Sequence, residues 1–263
     1  MINALWVGAT GMNAQELNIN VISNNLANVN TIGFKKSRAE FQDLIYSNLR
    51  SAGAPIAQGT TNPVGLEAGH GVKSVSTQKI FSQGDIVNTD NPLDLVIEGD
   101  GFFQVLLPDG SNGYTRDGAF RKDNNGILVS AAGYRLQPEI TIPADATDIT
   151  IGRDGQVSAM INGQNQSLGQ QILIARFTNP AGLTSAGSNV FKESEASGAA
   201  IGPGVPGLES RGEILSNYTE SSNVKAVEEI VKMIVAQRAY EMNSKTIQTT
   251  DQMLQTVGTL KRS

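Results

Sequence analysis

The chain has 263 residues, a net charge of −5, no Cys and one His. Those last two counts exclude a Cys nucleophile, a disulfide framework, a Cys-ligated zinc and a multi-His metal centre, and no cofactor is expected. The charge is unevenly placed: residues 1–50 carry four basic and three acidic side chains, residues 211–263 carry seven and six, and 51–210 keep nine and sixteen, a net −7.

No basic stripe exists, so a nucleic-acid partner is not expected. No stretch approaches ~18 consecutive apolar residues, so neither is insertion into a membrane. From Met1 to Phe34 the only charged side chain is Glu16, and Asn and Gln interrupt any apolar run, which makes a poor cleavable signal. Zero Cys also suits a chain threaded unfolded through a secretion channel.

Taken in chain order, the two ends read as helices and the middle as strands. No Pro occurs from Ile2 to Val29, and Leu5, Met12, Ile19 and Leu26 recur every seven residues; Met233, Tyr240, Ile247 and Leu254 do the same near the other end. Ile2, Ala9, Ile22 and Val29 widen the first seam, and Val227, Ile230, Ile234 and Val257 the second. A strict seven-residue stripe is the pattern of helices that supercoil on partners. Glu16, Ser23, Gln237, Ser244 and Asp251 at other heptad positions suit a many-helix assembly better than a two-stranded zipper.

The first helix should stop at the run Asn24, Asn25, Asn28, Asn30, Gly33. The second should span 224–260, with Ser221, Ser222 and Asn223 offering capping oxygens, Glu228 and Glu229 in its early turns, and Lys261 and Arg262 at its end. Residues 35–49 fit either a helix or a strand. Residues 50–71, rich in Gly, Pro, Ala, Thr and Asn, read as a linker or extended arm without a core of its own.

From 72 to 210, apolar runs at 72–80, 93–97, 102–107, 127–129, 149–151 and 172–177 alternate with Pro108-Asp109-Gly110, Arg116-Asp117-Gly118, Asn124-Asn125-Gly126 and Arg153-Asp154-Gly155. These are strand and turn signals. Gly198–Gly207 reads as a returning linker. The expected fold is therefore α+β: a discontinuous helical domain from 1–34 and 211–263 with coiled-coil-like packing, an arm at 35–71, and an all-β domain at 72–210.

Possible chemistry is sparse. Gly99-Asp100-Gly101 lacks the third Gly and the helix of a dinucleotide motif and reads as a turn. Asp123-Asn124-Asn125-Gly126 lacks the ligand spacing of an EF-hand and reads as a hairpin turn, with an incidental calcium site as the alternative. Asp94, Glu98 and Asp100 could pair for glycoside hydrolysis, but read as solvated or turn-capping acids. His70 has no nucleophile beside it. Trp6 reads as a helix-packing contact, the alternative being a membrane anchor without flanking basic residues. No catalytic, metal or cofactor-binding residue is assigned.

Asn24-Asn25-Leu26-Ala27-Asn28-Val29, then Thr31, Gly33, Phe34 and Lys35, resembles the opening signature of the axial proteins of the bacterial flagellum, the rod and hook family. Ser222-Asn223-Val224, Glu228-Glu229, Met233-Ile234 and Gln237-Arg238-Ala239-Tyr240-Glu241, with Asn243-Ser244-Lys245, resembles that family's closing motif. Gly99-Asp100-Gly101-Phe102-Phe103-Gln104-Val105, Tyr114-Thr115-Arg116-Asp117-Gly118 and Ile149-Thr150-Ile151-Gly152-Arg153-Asp154-Gly155 are similar to its distal-rod members.

The resemblance implies a non-enzymatic structural subunit that polymerises into the rod of the basal body, in the periplasmic space. Terminal helices would line the inner tube and the β domain would face outward. Implied partners are further copies, proximal rod proteins, the hook protein, the rings around the rod, and the type III export apparatus, used without a cleaved signal. The segment Tyr46–Val64 stands where distal-rod members carry an insertion associated with a straight, stiff rod. Within the family the alternative is a proximal rod or hook subunit. Outside it, the alternative is a secreted β protein that binds glycan or peptidoglycan, or a carboxylate-based hydrolase. The seams would stay partly unburied in a free monomer, so its terminal helices should order only on polymerising.

Overall fold

A computed structural model describes residues 2–51, 55–57, 60–61, 63–161 and 163–260. The chain divides into two compact units: Met1–Leu26, Ser37–Gln78 and Lys225–Ser263 form the first, and Ala27–Lys36 with Lys79–Val224 the second.

The first unit holds two long helices, α1 (Ile2–Ala27) and α2 (Ala226–Leu260). Between them in sequence come β1 (Ser37–Asp43), β2 (Tyr46–Arg50), β3 (Pro55–Ala57), β4 (Thr60–Thr61), β5 (Leu66–Gly69) and β6 (Val72–Lys79). The undecided segment 35–49 is thus strand, with Ala39 and Phe41 at alternate positions of β1. β1 pairs with β6, and β2 runs antiparallel to β5 with Tyr46 opposite Gly69, so the arm is a two-stranded ribbon. Lys261 and Arg262, expected at the end of α2, lie outside the described residues. Glu228 and Glu229 occupy the first turn of α2, where carboxylates favour the helix dipole.

The second unit begins its strands with β7 (Ile86–Asn88), β8 (Leu95–Glu98), β9 (Phe102–Leu106) and β10 (Asn112–Thr115). There follow β11 (Arg121–Lys122), β12 (Leu128–Val129), β13 (Arg135–Gln137), β14 (Asp148–Ile151), β15 (Gln156–Ile161), β16 (Gln164–Gln171) and β17 (Ile174–Arg176). The last are β18 (Thr184–Gly187), β19 (Val190–Lys192), β20 (Ile201–Gly204), β21 (Glu213–Ser216) and β22 (Tyr218–Glu220).

One sheet runs β11-β12-β13-β9-β10-β19-β18, with β17 joining β9 to β20. β14, β15 and β16 form a meander, and β21 and β22 pair with β8 and β7. The segment 198–207 is therefore more than a returning linker, because β20 pairs with β17. The strands at 112–115 and 164–171 carry little apolar pattern; β16 reads Gln-Asn-Gln-Ser-Leu-Gly-Gln-Gln and is mostly exposed.

Alternation along β9 explains two cores. Phe103 and Val105 point into a large aliphatic cluster with Leu95, Leu128, Leu136, Ile172 and Ile214, whereas Phe102 joins Tyr114, Phe177 and Phe191 on the other side. The aromatic cluster packs edge to face, with Tyr114 and Phe177 centroids 4.7 Å apart.

Candidate subunit-packing surface and the junction of the end motifs

Two glycines of α1 lie close against side chains of α2. A Cβ on Gly8 would lie 2.8 Å from Ile247 Cγ1, and one on Gly11 2.8 Å from Asn243 Nδ2. A mid-helix glycine costs roughly 0.5–1 kcal/mol against alanine, and here two of them permit close approach. Further along, Asn25 is buried and its Nδ2 donates to Glu229 Oε2 at 3.2 Å. The same amide donates to Ser37 O at 2.8 Å, and its Oδ1 accepts from the Ser37 N–H at 2.9 Å. Glu229, itself buried, pairs through Oε1 with Lys232 at 2.7 Å.

Of the seven-residue seams, Ile247 is the side chain that Gly8 faces. Leu5, Met12, Ile19 and Leu26 are half-buried, as are Met233, Ile247 and Leu254, while Tyr240 stays exposed. Of the seam companions, Ile22 is buried but Val227, Ile230, Ile234 and Val257 are exposed. Among the described residues of this unit the buried apolar side chains are Ala14, Ile22 and Ala236, beside the polar Asn25, Glu229 and Thr250. Such a pair of helices has little dry core of its own.

Of the motif residues, Asn24 and Ala27 are exposed and Asn28 is half-buried; Gln237 and Arg238 are exposed and Ala239 half-buried, with Arg238 paired to Glu241 at 2.8 Å. Gly33, Phe34 and Lys35 of the opening motif and Ser222 and Asn223 of the closing one lie in the second unit, where the Asn223 N–H donates to Phe34 O. Gly33 takes φ +67°, donates its N–H to Glu220 O at 2.8 Å, and leaves no room for a Cβ, which would lie 2.6 Å from Asp117 N. Phe34 and Lys35 are buried beyond it. Asn223 does not cap α2, as expected of it; its Oδ1 accepts from the Lys36 N–H at 2.8 Å and its Nδ2 donates to Ile80 O at 2.8 Å. Ser222 Oγ accepts from the Val224 N–H instead.

Sequence reasoning missed the charges at this junction. Lys35 Nζ lies 2.6 Å from Glu220 Oε1, with both side chains fully buried, and Arg116 Nη1 lies 3.6 Å from Glu220 Oε2. Lys35 also donates to Ser82 O, Arg116 to Ile97 O and Gly99 O, and the Gly84 N–H to Glu220 Oε1. Burial lowers the affinity of Lys35 and Arg116 for their protons, and Glu220 opposes that shift in both. Positions 35, 116 and 220 share no local pattern. The one available signal was a lysine directly after the apolar Gly33-Phe34.

The remaining candidates resolve as local structure. Gly99 and Gly101, both at positive φ, connect β8 to β9. Asp123–Gly126 closes the β11–β12 hairpin, with the Gly126 N–H donating to Asp123 O at 2.9 Å. Asp94 accepts from Asn91 at 3.0 Å, while Glu98 and Asp100 line a shallow recess beside Arg211. No His, Asp or Glu cluster able to hold a metal occurs among the described residues. His70 Nδ1 lies 3.1 Å from Asn3 Oδ1, and Trp6 is 66% exposed.

Helices from both chain ends, with strands inserted between them and apolar faces left open, define an axial assembly subunit. Residues 5–35 match the family model described as flagella basal body rod protein, 96–159 that of the flagellar hook protein FlgE/F/G D1 domain, and 215–260 that of the flagellar basal body rod FlgEFG protein C-terminal.

The chain is 53% identical to flagellar basal-body rod protein FlgG of Buchnera aphidicola subsp. Schizaphis graminum, over 99% of this chain and 100% of that protein. To the protein of the same name in Borreliella burgdorferi it is 51% identical over the whole of both chains. The likeness to flagellar hook protein FlgE of Helicobacter mustelae, 47% identical, covers 52% of this chain and 30% of that protein. The chain belongs to the flagellar basal-body rod protein family.

Proposed function

We propose that the chain is a non-enzymatic structural subunit of the distal rod, self-assembling into a rigid helical tube that carries motor torque to the hook. The observation that carries this reading is the state of the helices: α2 holds Val227, Ile230, Val231, Ile234 and Val235 in water, over a unit with few buried apolar side chains. Contiguous apolar surface of this kind marks a site of association. End-to-end likeness to rod proteins, against partial likeness to a hook protein, supports rod over hook.

On this reading 1–34 with 211–263 is the polymerisation domain, 35–71 an arm, and 72–210 the outward β domain. The seams Leu5, Met12, Ile19, Leu26 and Met233, Tyr240, Ile247, Leu254 pack in coiled-coil fashion within and between subunits, and the terminal helices gain most of their order on polymerising. Partners are further copies, proximal rod and hook proteins, the surrounding rings and the flagellar type III export apparatus. The location is the rod in the periplasmic space.

The test is a label on this chain followed by electron microscopy of purified basal bodies. Label along the distal rod is expected, and label confined to the hook, or absent, would overturn the assignment.

A further inference from the structure

Two residues singled out in the sequence, Trp6 and His70, line one groove of the first unit, where His70 meets only Asn3 among the contacts described above. The groove lies between the first turns of α1 and the β2–β5 ribbon, has a volume of about 720 Å³, and is bounded by Asn3, Trp6, Thr10, Leu44, Leu49 and His70. Among the described residues, none that lines it is Asp, Glu, Lys or Arg. Trp6 and Leu49 stand 66% and 65% exposed. A two-stranded ribbon is marginal in water by itself, so apolar side chains displayed on it need a cover.

The first turns of α2 carry the matching shape. Val227, Ile230, Val231, Ile234 and Val235 follow helical spacing, all are exposed, and they form one stripe about 12 Å long. The charged neighbours are already engaged, Lys225 with Glu228 at 3.6 Å and Lys232 with Glu229 at 2.7 Å. Both surfaces are therefore apolar and uncharged, one concave and one a helix face, the pairing of helix-in-groove recognition.

We propose that the groove beside Trp6 receives the Val227–Val235 stripe of α2 from a second copy of this chain. Groove and stripe are different patches, each open within one chain, so the contact is heterologous. A heterologous contact that does not close on itself propagates as an open helical filament. The inference rests on the rod reading above and adds to it which two surfaces meet.

Because the chain has no Cys and a single Trp, its full length can be probed directly. Chains carrying Leu49→Cys and chains carrying Ile234→Cys are co-expressed in flagellated cells lacking the native subunit, and basal bodies are purified and mildly oxidised. A disulfide-linked dimer is expected from this pair and not from Leu49→Cys with Ser185→Cys, whose second site is an exposed position of β18. In the unsubstituted protein, Trp6 emission should shift to shorter wavelength when free subunits assemble.

Rods that contain both variants yet give no 49–234 dimer, or assembly with unchanged Trp6 emission, overturn the proposal and leave the rod reading standing. A shift in Trp6 emission without the dimer assigns the groove to another occupant and also overturns it. Absence of the unsubstituted chain from basal bodies would instead overturn the rod reading.

Discussion

The carboxamide of Asn25 meets the carboxylate of Glu229 at 3.2 Å, across 204 positions of sequence, with both side chains buried. Asn25 also exchanges two hydrogen bonds with the backbone of Ser37. One neutral side chain thus ties the end of α1 to the start of β1 and to the first turn of α2.

Replacing Asn25 by Asp would bury a second carboxylate beside Glu229 and remove the donor that both Glu229 and Ser37 O use. The expected cost to the helical unit is ~3 kcal/mol or more, against about 1–3 kcal/mol for Asn25→Ala, which leaves the partners unsatisfied but adds no charge. Thermal melting of assembled rods followed by circular dichroism should rank Asn25→Asp as the more damaging at neutral pH. Acidification, which protonates the new carboxyl and restores a donor, should narrow the difference.

The close approach at Gly8 makes a second expectation. Gly8→Leu would drive a side chain into Ile247, and overpacking of this kind costs about 1–3 kcal/mol. Shortening the opposing residue should relieve it: Gly8→Leu with Ile247→Ala should be more stable than the sum of the single changes, by about 0.5–3 kcal/mol of coupling. A double-mutant cycle on assembled rods, read by their melting, measures it, and strict additivity would show that the two positions do not meet.

Assembly and folding should separate at the seams. Met233→Glu or Ile247→Glu places a charge on a half-buried helix face without touching either core of the β unit. Basal bodies should lack a distal rod in either variant, while the purified chain keeps the strand signal and melting of the unsubstituted β unit. Rods of ordinary length from either variant would refute the role of the seam.

The outline of the helices was legible because both lack Pro and keep a seven-residue stripe over several turns. Hairpins were legible where Asp-Gly or Asn-Gly forced the turn, as at Asn124-Asn125-Gly126. What could not be read has a physical reason. Gly8, Gly11 and Asn25 each meet α2 closely, and a search for large apolar residues passes over them. β16 is held by backbone pairing with most of its side chains exposed, so it carries little hydrophobic alternation. Lys35, Arg116 and Glu220 are brought together only by tertiary structure, and nothing in their spacing announces it.

That buried trio should dominate the stability of the β unit. Glu220→Gln keeps the shape but leaves Lys35 buried without its anion and Arg116 with the Asp100 charge alone, for an expected loss of about 3–5 kcal/mol. Glu220→Asp keeps the charge at shorter reach and should lose less. Urea unfolding followed by circular dichroism distinguishes them; equal, small losses for both would mean that the two cations find compensation elsewhere.

A pH dependence follows from Tyr114. Burial, together with the hydrogen bond its hydroxyl donates to the Glu193 carboxylate, raises its pKa above the ordinary value of 10.0. Below that value the phenol is protonated in folded and unfolded chains alike, and the stabilisation is fully present. As pH rises past it, the unfolded phenol gives up its proton first, the unfolded state binds fewer protons, and stability falls. Tyr114→Phe should cost about 1.5–3 kcal/mol near neutrality for the lost hydrogen bond to a carboxylate, and should flatten the fall in stability above pH ~10. Parallel urea titrations across that range measure the difference in slope, and identical slopes would mean that Tyr114 ionises as freely in the folded chain as in the unfolded one.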